Sequence, residues 1–168
     1  MPVPLTPAGE EQARRLGQQL AGAAFGVCVH TRFGRTRQTA ELALAGRDVP
    51  FLEEPGLDDV EIGELEGGTL EDYRRWKASH RRDERFPGGE SLEETARRYV
   101  AALRRVLALP FESVLVVCHE LPIRYALNTA AGSDDLDHPF HDIPNATPYL
   151  FDDPVLAVAV DRIEQLAD

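Results

Sequence analysis

Cysteine, long apolar runs and surplus positive charge are all scarce in this chain. Two cysteines in 168 residues, Cys28 and Cys118, cannot build a disulfide framework. Both fall in segments read as buried strands, as reduced core thiols in a reducing compartment. No stretch is long and apolar enough to span a bilayer, and no basic segment followed by an apolar one opens the chain. The expected location is therefore cytoplasmic. Lysine and arginine number 18 against 29 acidic residues, a formal net charge of −11. That balance argues against a general affinity for nucleic acid or anionic membrane surfaces, so any anionic ligand must be met by a local basic site. Internal repeats and low-complexity linkers are absent too. With 43% hydrophobic and 28% charged residues, the composition is that of one ordinary globular domain over residues 1–168.

What is present is an alternation of strand and helix signals. Thr6-Pro7 supplies a hydroxyl cap and a first-turn proline, and Ala13, Leu16 and Leu20 then share one helical face. Gly26–His30 reads as a short strand, Arg35–Ala45 as a helix ended by Gly46, and Pro50–Glu53 as a second strand. The glycine-rich stretch Gly63–Gly68 precedes a polar helix over Thr69–His80, and Arg81–Glu90 reads as a charged loop. Ser91-Leu-Glu-Glu94 is a capping box, opening a helix with the core stripe Ala96, Val100, Leu103 and Leu107. The apolar run Ser113–His119 suits a parallel strand buried on both faces, with a helix following to about Ala131. Tyr149–Phe151 and Val155–Val160 read as closing strands. Strands separated by helices give a three-layer α/β/α sandwich with a mainly parallel sheet.

Three places carry residues suited to chemistry. His119 ends its strand where open α/β sheets bind ligands, although a histidine there can equally satisfy a local hydrogen bond. Thr31–Ala40 (TRFGRTRQTA) follows a strand and opens a helix, bringing Arg32, Arg35 and Arg37 to the positive end of its dipole. Guanidinium forks at a helix start suit phosphate or carboxylate, while the competing reading of an arginine run is a solvated face. Leu57–Gly67 (LDDVEIGELEG) holds five carboxylates, one of which could act as a general acid beside a phosphate. No histidine or cysteine stands at ligand spacing nearby, so metal binding is the weaker reading and no cofactor is called for.

Taken in order, these segments resemble the motifs of the histidine phosphatase superfamily, also called the phosphoglycerate mutase-like family. Pro4–Gly17 looks like the family's first helix, Thr31–Ala40 like its S-x-x-x-R-A-x-Q-T-A segment, and Leu57–Gly67 like its L-x-E-x-x-x-G-x-x-E-G segment. Pro87-Gly-Gly-Glu-Ser91, Val114–His119 and Asn145-Ala-Thr147 resemble its later landmarks. The resemblance implies a phosphoglycerate mutase-like sandwich acting on a small phosphorylated metabolite, or binding phosphate ion. In that family a first histidine attacks phosphorus, two arginines and a second histidine hold the phosphoryl group, and an acid protonates the leaving oxygen. Carried over, Arg35 is the phosphate arginine, His119 the second histidine, and Asp59 the acid where many members have glutamate. Arg32 is a further candidate phosphate ligand.

The departures shape the expectation as much. The family's nucleophile lies in an Arg-His-Gly motif at the end of a strand upstream of the Pro-Leu-Thr segment. Here that segment begins at Pro4, and no Arg-His-Gly occurs. His30 ends a different strand, while His80, His138 and His141 fall in loops that match nothing comparable. The chain thus reads as an N-terminally truncated member, weak or inactive as written. It would be either a phosphomonoester hydrolase whose first strand lies upstream of Met1, or a non-catalytic remnant binding anions or partners. A sheet lacking an interior strand leaves an open edge, which a homo-oligomer could cover. Glu120 stands where many members have glycine, placing negative charge beside a phosphate site unless it turns away or binds a cationic group of the substrate. Cys118 and Arg124 also have the Cys-x5-Arg spacing of cysteine-dependent phosphatases. That loop wraps backbone N–H groups around phosphate, and Pro122, Glu120 and the lack of glycine all speak against it.

Overall fold

The computed structural model describes residues 4–139 and 142–167. Its elements run α1 (Pro7–Gln19), β1 (Val27–His30), α2 (Gly34–Ala43), β2 (Phe51–Glu53), α3 (Leu70–Ser79), α4 (Leu92–Leu107), β3 (Val114–Val117), α5 (Glu120–Ala130) and α6 (Asp153–Ala167). Short 3-10 turns at Pro55–Leu57 and Gly63–Leu65 lie between β2 and α3. The helix starts fall where hydroxyl side chains meet orphan amides. Thr6 Oγ1 accepts from the Gly9 amide at 3.1 Å. Ser91 and Glu94 close a reciprocal capping box, with bonds of 3.1 and 2.8 Å, that satisfies two N-terminal donors of α4.

The three strands form a parallel sheet in the order β2-β1-β3, with Cys28 beside Phe51 on one side and Leu115 on the other. Side chains alternate across a strand, so each face collects its own core. Val29, Val114 and Val116 pack with Ala96, Tyr99, Val100 and Leu103 of α4, Tyr125 of α5, and Val160 and Ile163 of α6. Cys28, Leu115 and Val117 face the other way, against Ala40 and Leu44 at α2. α1 joins α2 on that side, lying on it so closely that a Cβ at Gly17 would meet the Ala43 carbonyl oxygen at 2.6 Å. The three-layer α/β/α sandwich with a parallel sheet is therefore the observed architecture.

Three sequence expectations are corrected. The strand after Ser113 was expected to be buried on both faces; Val114–Val117 are half-buried, because β3 pairs with β1 alone among the described residues and its other edge is open. Val155–Val160 is helix rather than strand. Leu156, Ala159, Val160, Ile163 and Ala167 recur at the helical period and face α4 and α5, a pattern hidden inside a locally continuous apolar run. Tyr149–Phe151 forms no strand, and Leu150 is 93% exposed.

Candidate active site

The carboxyl ends of the parallel strands converge, as sheet topology dictates for a ligand site. β1 runs out into Thr31–Phe33 and then into α2, whose first turn carries Arg35. β2 leads through the turn Pro55–Leu57 to Asp58 and Asp59. β3 ends two residues before His119, which is the N-cap of α5.

His119 is 6% exposed, and both its ring nitrogens are engaged. Nδ1 lies 3.0 Å from Arg35 Nη2 and 3.6 Å from Asp59 Oδ2, while Nε2 lies 3.0 Å from Thr31 Oγ1. The same Arg35 Nη2 donates to Asp59 Oδ2 at 3.1 Å. Phe33 closes the cluster, its ring edge-on to His119 at 4.8 Å and its face 4.3 Å below the Arg35 guanidinium carbon. The structure thus brings Arg35, Asp59 and His119 together. It joins Arg32 to the buried Asp58 instead, through the Arg32 amide at 2.9 Å and Nε at 2.5 Å.

Arg98, reaching in from α4, fixes the acidic segment. It donates to the carbonyls of Gly56, Asp58 and Asp59 at 3.1, 2.9 and 3.2 Å and pairs with Glu90. Sequence reasoning missed this arginine, and also the structural parts of Thr31, Thr36, Phe33 and Asp58. Thr31 was findable, standing directly between strand and arginine segment. Asp58 and Asp59 are adjacent carboxylates that only burial tells apart. Arg98 gave no local signal, since the carbonyls it binds lie some forty residues away in the chain.

The electrostatics follow from this enclosure. Burial, helped by the Arg35 charge, pushes the His119 imidazole down to about 4, so it is neutral at physiological pH. For Asp59, desolvation outweighs the lowering influence of Arg35, and the carboxyl sits above its ordinary range. Glu120 is 61% exposed and bonds Arg124 at 2.5 Å, and its charge still acts on Asp59, adding to the rise in that carboxyl's pKa. The cysteine alternative loses its geometry, because Glu120–Arg124 are helical instead of wrapping an anion, and burial pushes the Cys118 thiol up to about 12.

The remaining histidines lie elsewhere. His30 turns Nδ1 to the Thr31 carbonyl oxygen at 2.8 Å and its ring toward Phe51, while His80 stacks on Trp76 at 4.1 Å. The His138 carbonyl accepts from Asn128, and His141 lies outside the described residues. The Asn145–Thr147 segment is a turn with Ala146 at a φ of 53°. Among the described residues, no group of three or more His, Cys, Asp or Glu is placed to hold a metal ion, and no helix is long and apolar enough to cross a membrane.

The parallel α/β sandwich thus gathers arginine, histidine and carboxylate at the carboxyl ends of its strands. Residues 1–152 match the model of the histidine phosphatase superfamily (branch 1), and the chain belongs to that family. It is similar to the "Probable phosphoglycerate mutase GpmB" of Salmonella choleraesuis, 32% identical over 139 residues, which are 77% of this chain and 64% of that protein. The chain thus spans under two thirds of the length of the curated relatives it matches. Among solved structures it resembles TTHB049 from Thermus thermophilus, with 32% identity, a TM-score of 0.57, and 77% of this chain and 71% of that one covered. YhfR from Bacillus stearothermophilus shares the fold, with a TM-score of 0.70 at 22% identity over 90% of this chain and 76% of its own.

The depressed histidine has a stability consequence. As pH falls below 6.5, the unfolded imidazole takes up a proton that the folded one refuses until about pH 4. His119 therefore contributes stability fully present above pH 6.5 and lost as pH falls toward 4, about 3 kcal/mol in all. Asp59, with its raised pKa, binds its proton more readily folded than unfolded and offsets part of that loss at the acid end. Urea unfolding at about pH 7 and about pH 4.5 should show a steeper loss for wild type than for His119→Asn. Equal losses would mean that the imidazole is not held neutral.

Proposed function

We propose that this chain carries the phosphoryl-binding half of a phosphomonoester site. In it Arg35 is the main donor to the anion, His119 the second histidine, and Asp59 the acid toward the leaving oxygen. The observation that carries this reading is one atom: Arg35 Nη2 lies 3.0 Å from His119 Nδ1 and 3.1 Å from Asp59 Oδ2, in the first turn of a helix. A phosphate there gains a guanidinium fork and helix amides together. The raised pKa of Asp59 suits an acid that must hold its proton until the leaving group needs it. Arg32 becomes an outer ligand when its pair with Asp58 opens. The ligand is a small phosphorylated metabolite or phosphate ion, with hydrolysis favoured over transfer to a second substrate.

The family's chemistry also requires a nucleophilic histidine. Residues 1–168 contain no Arg-His-Gly, and the ring packed on His119 is that of Phe33, while His30 faces the Thr31 carbonyl and Phe51. The proposal is therefore of weak or absent turnover by this chain on its own. That packing also favours the second reading, a non-catalytic member that binds anions or partners. A cytoplasmic setting, supported by two free thiols, and self-association over the open β3 edge complete the proposal. With p-nitrophenyl phosphate, wild type and His119→Ala should give the same baseline rate. Robust wild-type turnover that disappears in the variant would contradict this and place a complete catalytic site in the chain.

A further inference from the structure

We infer that Thr31 is a positioning residue that holds His119 in one tautomer, with the ring proton on Nε2 and the Nδ1 lone pair turned to Arg35 and Asp59. Two independent ends of a hydrogen-bond chain lead to this assignment. At one end, Arg35 Nη2 lies 3.0 Å from Nδ1, and a guanidinium can only donate, so Nδ1 accepts. At the other end, the Thr36 hydroxyl donates to the Phe33 carbonyl oxygen at 2.8 Å. With that proton spent, Thr36 Oγ1 can only accept from Thr31 Oγ1, 2.9 Å away. The Thr31 hydroxyl proton is thereby committed, so its contact with His119 Nε2 at 3.0 Å requires the proton to come from the ring. The Phe33 amide approaches the same oxygen at 3.4 Å and is likewise a donor.

The chain runs His119 Nε2–H to Thr31 to Thr36 to Phe33 and is buried, with Thr31 and Thr36 only 1% and 3% exposed. A hydroxyl with no water to exchange into stays oriented, which makes the threonine a fixed acceptor. Resting on the phosphate-site reading, this has a consequence for how His119 meets an anion. Nε2 already carries its proton, so only Nδ1 can take a second one, and it is the nitrogen facing the site. When phosphate draws Arg35 off Nδ1, a proton from solvent completes an imidazolium. It keeps Nε2–H on Thr31 and presents Nδ1–H to the anion. The charged groups facing that nitrogen are Arg35 from α2 and Asp59 from the acidic segment, with Asp58 and Arg98 of α4 acting at longer range. Without Thr31 the proton can move to Nδ1, and the ring would no longer accept from Arg35.

Long-range ¹H–¹⁵N correlation of the imidazole nitrogens tests this directly. In wild type at about pH 7, His119 Nε2 should show the protonated shift and Nδ1 the unprotonated one. Thr31→Val, close in shape but lacking the hydroxyl, should give averaged or inverted shifts and bind phosphate about fivefold more weakly. Thr31→Ser should restore both the pattern and the affinity. Wild-type protein with the proton on Nδ1, or a Thr31→Val spectrum identical to wild type, would overturn the assignment; the first needs no variant to fold. A wild type showing the expected pattern but no phosphate binding would support the positioning role and sink the anion-site reading instead.

Discussion

Arg35→Ala should lower affinity for inorganic phosphate about ten- to a hundredfold while leaving the fold intact. The magnitude follows from the bonds lost. A guanidinium supplying charge-assisted hydrogen bonds to a phosphate contributes about 1.5–3 kcal/mol, and about 1.4 kcal/mol corresponds to a factor of ten. The fold should survive because the Arg35 side chain is 37% exposed and its hydrogen bonds run only to site residues. A second effect accompanies the first. Arg35 lowers the pKa values of both His119 and Asp59, so its removal should raise both. Asp59 then faces the site without a counter-charge, which repels phosphate further above its pKa. Calorimetric titration with phosphate measures the affinity, and an NMR pH titration of His119 reads the electrostatic part. An unchanged phosphate affinity would mean the anion, if bound at all, binds elsewhere.

The parts of this molecule legible in its sequence are those written in neighbouring residues. Thr6 and Ser91 cap helices where local chemistry says they should, and β1 and β2 sit within a residue of their expected bounds. The family resemblance is what names Arg35, Asp59 and His119 as one set, and strand ends on one side of a parallel sheet are compatible with it. Other features depend on contacts that no window of sequence contains. The α6 segment is apolar at every position from Val155 to Val160, so strand and helix fit equally well until α4 and α5 supply a surface at the helical period. The half-exposure of β3 reflects what lies beside it, not its own valines. Asp58 and Asp59 are identical in type and adjacent, yet one is buried under the Arg32 backbone and the other looks into the site. The tautomer of His119 is further from the sequence still, since it depends on where a threonine hydroxyl 3.0 Å from Nε2 sends its proton.

Arg98 is the clearest case of a residue whose importance is tertiary, and Arg98→Met should cost about 3–5 kcal/mol of stability. Methionine keeps the buried stem and removes the head group, so the loss is polar rather than volumetric. The Arg98 and Glu90 side chains are 26% and 12% exposed, so removing the cation strands a largely desolvated carboxylate, which is the expensive way to break such a pair. Three carbonyls, those of Gly56, Asp58 and Asp59, lose a donor at the same time. Glu90 also accepts from the Glu61 amide at 3.0 Å, so the disturbance spreads along the strip that carries Asp59. Arg105 on the same helix provides the comparison. It pairs with Glu54 at 2.7 Å and is 57% exposed, and its loss strands the 13% exposed Glu54 carboxylate but removes no donor from a carbonyl, so Arg105→Met should cost less than Arg98→Met, about 1–2 kcal/mol. Adding Glu90→Gln to Arg98→Met should return part of the loss, because the stranded charge disappears while the freed carbonyls remain. Urea midpoints for the four proteins decide it. Similar small losses for Arg98→Met and Arg105→Met would show that the acidic segment holds its place without Arg98, and that Asp59 is positioned by the 55–57 turn alone.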